Sequence, residues 1–125
     1  MATKLTDSVF ESVKKLVNAN GDDYFDDDLL IHINTVFSVL NQLGVGDGIE
    51  IDKKSTWDEI TEDEPLYNMI KSYVVLRVRI LFDMPSSSFM LDTMKEQARE
   101  LEWRIATAKE TEKLNEESNE QFDLW

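Results

Sequence analysis

A single histidine, His32, and the aspartates ahead of it are the residues of this 125-residue chain whose types and spacing first suggest chemistry. His32 follows Asp28 by four residues, one helical turn, so the two can pair. A histidine metal site or an imidazole-activated nucleophile would have to be built from this one ring, and a surface or packed histidine is the simpler reading. The five aspartates Asp22, Asp23, Asp26, Asp27 and Asp28 invite a calcium site, but the EF-hand spacing fails. With Gly21 as the loop glycine, Leu16 falls where the first carboxylate ligand belongs and Asp27 where a bidentate Glu is required. Asp47 and Asp52 are no better spaced.

Other constellations are equally thin. Gly44, Gly46 and Gly48 make neither a dinucleotide fingerprint nor a phosphate loop, since no Gly-Lys-Ser/Thr occurs. Ser86-Ser87-Ser88 has no neighbouring base in sequence and reads as helix capping. Carboxylate pairs arise by chance in a chain with 26 acidic residues, and without cysteine there is no thiol nucleophile, zinc knuckle or disulfide. The sequence therefore nominates no catalytic, cofactor-binding or metal-binding residue, and the expectation is a protein that binds or assembles and is not an enzyme.

Charge points the same way. Thirteen basic residues leave a formal net charge of −13, which opposes unaided binding to a phosphate backbone and keeps a nearby duplex from sticking. The acidity is clustered at residues 22–28, at 58–64 and from Glu110 to Asp123, while Lys71 to Arg104 is nearly balanced. The N-terminus lacks the apolar run of a signal peptide and no stretch is long enough to span a membrane, so a soluble, unexported chain without a membrane partner is expected.

The elements that position these residues read as an all-α bundle of four main helices. The first is expected from Asp7 to Val17, capped by Thr6 or Asp7, with Val9, Val13, Leu16 and Val17 on one face. A second carries Leu29, Leu30, Ile33, Val36, Phe37, Leu40 and Leu43 and stops at Gly44. The glycine-rich loop that follows has a short strand or hairpin at Ile49 to Ile51 as an alternative, and Thr56 to Ile60 forms a helical turn whose Trp57 and Ile60 lid the core. The third helix runs from Pro65 to Phe82 and the fourth from Ser87 to Ala108, the latter with Leu91, Met94, Ala98, Leu101, Ile105 and Ala108 in register. Residues 1–108 then form one domain, and 109–125 an acidic, flexible C-terminal tail without an apolar stripe.

Two features call for partners. Arg77 and Arg79 interrupt the most apolar helix and cannot be buried alone; they pair with Glu96, Glu100 or Glu102 of the fourth helix or contact a neighbouring subunit. The tail ends in Phe122, Leu124 and Trp125, which dock on a partner or back on their own domain.

Several blocks occur in one order: Asp26-Asp27-Asp28-Leu29-Leu30-Ile31-His32-Ile33-Asn34, Val39-Leu40-Asn41-Gln42-Leu43-Gly44-Val45-Gly46, Tyr73 to Asp83, Pro85-Ser86-Ser87-Ser88-Phe89 and Leu101-Glu102-Trp103-Arg104. Together they resemble the head–tail connector (neck adaptor or head completion) proteins of tailed bacteriophages over residues 25–105. Met84 departs from the double proline such sequences often carry, and the acidic tail lies outside the pattern. The resemblance implies a helical adaptor located in the neck of the virion and assembled in the host bacterial cytoplasm. Its implied partners are the portal protein, the next neck or tail protein and further copies of itself in a ring, a dodecamer in the virion and a monomer in isolation. DNA would pass through without specific binding. On that reading Arg77 and Arg79 are candidates for the subunit interface, Phe122, Leu124 and Trp125 for partner docking, and Asp22, Asp23, Asp26, Asp27 and Asp28 for a channel-facing cluster. The alternative is an acidic regulatory protein that mimics DNA or sequesters a basic partner.

Overall fold

The four stretches with helical apolar spacing are helices in the computed structural model, which describes residues 4–17, 23–82 and 84–123, from 119 onward by backbone alone. Helix α1 spans Val9–Leu16, and its cap is Ser8, whose hydroxyl accepts from the Glu11 N–H at 3.2 Å. Neither Thr6 nor Asp7, the expected caps, takes that place; the Asp7 carboxylate instead accepts from the Lys4 N–H at 2.8 Å. Ser8 is favoured because the chain around it is held on both sides. Its hydroxyl donates to the Lys53 carbonyl, the Val9 N–H donates to Ser55, and an isolated antiparallel bridge joins Ser8 to Thr56.

A single 3-10 turn, Asp23–Phe25, leads into α2, Asp26–Gln42, whose first turn holds three aspartates at the positive end of the helix dipole. Its end is a Schellman motif. Gly44 takes φ +95°, its N–H donates to the Asn41 carbonyl, and the Val45 N–H donates to Leu40 at 2.9 Å. The accompanying apolar contact is buried, since Val45 and Leu40 are both inside the core.

No strand forms among the described residues, so the alternative of a strand at Ile49 to Ile51 is not what the chain adopts. Its physical replacement is Asn34 of α2. The Asn34 amide donates to the Ile51 carbonyl at 2.9 Å and its oxygen accepts from the Ile51 N–H at 2.8 Å, which satisfies both backbone groups without a second strand. The Asp52 carboxylate then accepts from the Lys54 and Ser55 N–H groups, closing a turn before a second 3-10 segment, Trp57–Glu59. Trp57 is not a lid: its ring is fully enclosed, lies edge-on to Tyr67, and donates from Nε1 to the Ser12 hydroxyl at 3.2 Å.

Helix α3, Glu64–Phe82, begins with the Asp63 carboxylate accepting from the Leu66 N–H and packs against all three other helices. Tyr67, Ile70, Tyr73, Val74 and Val78 are buried along it. Helix α4, Ser88–Asp123, is capped by Ser87, and the expected stripe of Leu91, Met94, Ala98, Leu101, Ile105 and Ala108 is the one it turns inward. Its end differs from expectation, because the helix continues through the acidic segment from Lys109 to Asp123. A packed helix already carries the cost of nucleation, and Glu, Lys, Leu and Gln propagate it without an apolar stripe.

Candidate functional site

The acidic cluster at the start of α2 divides once the helices pack. Lys14 of α1 reaches Asp23 and Asp26 at 2.9 Å each, and Lys53 from the loop reaches Asp26 at 3.3 Å. The Asp26 side chain is only 11 % exposed, whereas Asp23 stands in solvent. The two ammonium groups hold the Asp26 carboxyl below the usual carboxylate range, chiefly through the hydrogen bond from Lys14. The same bond, with that to Asp23, raises Lys14. Phe10 lies beneath both cations, its ring centre 5.9 Å from Lys14 Nζ and 5.5 Å from Lys53 Nζ. Asp27 and Asp28 face solvent.

Beside them lies an apolar end of the bundle. Phe25 sits edge-on to Phe82 at 5.7 Å and to Tyr24 at 4.9 Å, and the half-buried His32 ring approaches Phe82 at 6.4 Å. Tyr24 is exposed beside Phe25, and Leu81 and Met84, which bracket Phe82 in the chain, are exposed too. His32 is thus part of an aromatic packing arrangement. Among the described residues no group of His, Asp and Glu is arranged to hold a metal.

The second surface is a groove of about 550 Å³ between the end of α1, the middle of α3 and α4. Leu16, Val75, Leu76 and Leu101 form its apolar lining, and Lys71, Arg79, Arg104 and Glu100 its charged rim. Arg79 donates from Nη2 to the Leu16 carbonyl at 2.7 Å, so it closes the C-terminal end of α1, where a cation is favoured. Arg77 stacks its guanidinium over Tyr73 at 6.0 Å, and its buried Nε has no hydrogen-bond partner. Burial pushes the Tyr73 phenol up to about 12, against the lowering influence of Arg77. Among the described residues neither arginine forms an ion pair with Glu96, Glu100 or Glu102; Glu100 pairs with Arg104 at 2.8 Å.

A sequence profile of the phage connector protein matches residues 9–112, from the first residue of α1 into the exposed half of α4. The chain belongs to the phage connector protein family. Searches among curated proteins and among solved structures returned no match. The connector has a structural role in the phage particle and assembles with other head and tail proteins. None of its described helices is long and apolar enough to cross a membrane.

The matched range includes both arginines, the acidic cluster and the groove, and stops short of Phe122, Leu124 and Trp125. In the connector Arg79 lies one helical turn from the groove's Val75 and Leu76 and lines it, whereas Arg77, one residue beyond Leu76, does not and lies over Tyr73. Asp22, Leu124 and Trp125 lie outside the described residues, as does the Phe122 side chain. Sequence reasoning missed Lys14 as the counter-charge of the acidic cluster. The signal was present: Phe10, Val13, Lys14 and Val17 follow the i, i+3, i+4, i+7 spacing of a buried face, and so do Asp26, Leu29, Leu30 and Ile33. Opposite charges on two apolar faces have each other as the available partner.

Proposed function

We propose that this connector joins the portal vertex of the capsid to the tail, as one subunit of a ring that continues the DNA channel. The observation that carries the reading is the family match, which spans the helical bundle from α1 through the packed half of α4. Two properties of the bundle support it. A ring needs each subunit to present two unlike surfaces, and the basic-rimmed groove and the acidic, aromatic end are unlike in both charge and shape. A channel wall must repel DNA, and the solvated Asp27 and Asp28, together with Asp22 and Asp23, supply negative charge for that purpose. Arg79 and Arg77 belong to the subunit-contact side on this reading, and residues 109–125 act as a partner-docking arm.

Electron microscopy of the purified chain with purified portal tests the proposal. The expected result is a ring, twelve-fold in the assembled neck, stacked on the portal. Absence of both ring formation and portal binding, alone and in mixture, overturns it.

A further inference from the structure

The groove between α1, α3 and α4 is a basic site on a strongly acidic protein. Its rim has three cations, Lys71, Arg79 and Arg104, against one carboxylate, Glu100, around a floor that includes Leu76 and Leu101. Neither Lys71 nor Arg79 enters an ion pair among the described residues. An apolar floor with a cationic rim fits a segment that carries large apolar side chains among carboxylates. Three segments of the chain have that composition; residues 22–31 and 57–67 are committed to the bundle's own core through Leu29, Trp57, Leu66 and Tyr67, and the third is C-terminal. Residues 116–125 contain Glu116, Glu117, Glu120 and Asp123, no cation, and the apolar Phe122, Leu124 and Trp125.

We infer that the groove receives the acidic, aromatic C-terminal segment of a second copy of this chain. The alternative of a chain filling its own groove is opposed by α4 itself. Arg104 lines the groove, and the helix runs unbroken from there to Asp123. Phe122 is therefore carried about 27 Å along the axis away from its own groove, at 1.5 Å per residue. The contact is head-to-tail, one subunit's groove with the next subunit's arm, and such a contact propagates from copy to copy until a ring closes. The inference rests on the ring reading only in naming the contact between copies; binding of arm to groove is measurable without portal or ring.

The probe is a fluorescein-labelled peptide of residues 110–125, titrated by anisotropy against the full-length chain carrying Phe122→Ala and Trp125→Ala, whose own arm no longer competes. Saturable binding that weakens as salt is raised is expected, because charges on an exposed rim are screened over about 10 Å at 0.1 M. Adding Lys71→Glu and Arg104→Glu, both at the rim, weakens binding at least about tenfold. A peptide with Glu116→Lys and Glu120→Lys restores binding to that charge-reversed groove. Circular dichroism checks that each variant keeps its helices, and Leu76→Gln provides a second groove variant without a charge change.

Equal binding by the intact and charge-reversed grooves overturns the inference, as does no binding at millimolar protein. Groove variants that lose portal binding while keeping the peptide assign the groove to the portal and also overturn it. Rings that form on the portal with the Phe122→Ala, Trp125→Ala chain overturn it too, and leave the ring reading standing. Peptide binding without any ring on the portal supports the groove and removes the ring.

Discussion

Asn34 holds Ile51 by both of its backbone groups, donating to the carbonyl at 2.9 Å and accepting from the N–H at 2.8 Å. A single side chain on α2 thereby does the work of a neighbouring strand for a buried residue in the glycine-rich loop. Asn34→Ala leaves both groups unpaired and lowers stability by about 2 kcal/mol. Urea unfolding with an unchanged m-value measures the loss, and the Ile51 amide loses its protection in hydrogen exchange. Unchanged protection at Ile51 would show that the clamp is incidental.

The Lys14, Asp26 and Lys53 cluster sets the pH limits of stability. Asp26 is lowered below its ordinary 3.8, so in acid the unfolded chain binds more protons than the folded one, and stability is lost as pH falls below about 4. Asp52, lowered by the N–H groups of Lys54 and Ser55, acts in the same direction. Lys14 is raised above 10.5, so in alkali the folded chain binds more protons, and stability is lost as pH rises beyond that value. Lys14→Met lowers the melting temperature near neutrality and flattens both limbs of its pH profile, followed by circular dichroism.

Trp57 anchors the segment between loop and α3. Trp57→Ala removes a fully enclosed ring and destabilises by about 3–5 kcal/mol. Ser12→Ala strands the indole N–H and costs about 1–2 kcal/mol. In a chain carrying Trp125→Ala, where only Trp57 and the 68 % exposed Trp103 remain, the red shift of tryptophan emission on unfolding comes chiefly from Trp57, and adding Trp57→Phe should remove most of it.

Two glycines of one loop should respond unequally to alanine. A Cβ on Gly44 meets Lys109 Cβ at an ordinary 3.6 Å, leaving only the cost of positive φ, about 1 kcal/mol. A Cβ on Gly46 lies 3.1 Å from both Asn41 Oδ1 and Ile49 Cγ2, which adds crowding of roughly another 1 kcal/mol. The reverse order in thermal unfolding would show that the loop relaxes around Gly46.

Removal of residues 122–125 leaves the helical circular dichroism intact and weakens binding to portal in a pull-down. Loss of the fold on truncation would instead show that these residues pack on their own domain.

The helices were legible because each buries one stripe: Leu91 to Ala108 on α4 and Leu29 to Leu40 on α2 announce themselves by spacing alone. What escaped depends on contacts between distant positions. The Ser8 cap is chosen by pairing with Lys53, Ser55 and Thr56, and the shape of residues 49–51 is chosen by Asn34. Arg79 satisfies a helix end where salt bridges to α4 were expected, because the Leu16 carbonyl offers a partner that charge patterning along one helix cannot reveal. The candidate site was legible as a set of residue types, acidic cluster, arginines and aromatic end, but the groove belongs to three helices at once.

Helix α4 is 36 residues long, and each of residues 110–118 lies on its exposed part. A rod of that kind, about 54 Å from end to end, fixes direction as well as reach. One residue inserted into its bare half would swing whatever it carries by about 100° while advancing it only 1.5 Å, whereas seven residues would restore the heading and lengthen the reach by about 10 Å. The spacing of this segment is therefore constrained by angular phase, so its length should tolerate whole turns and resist single steps whatever its individual residues are.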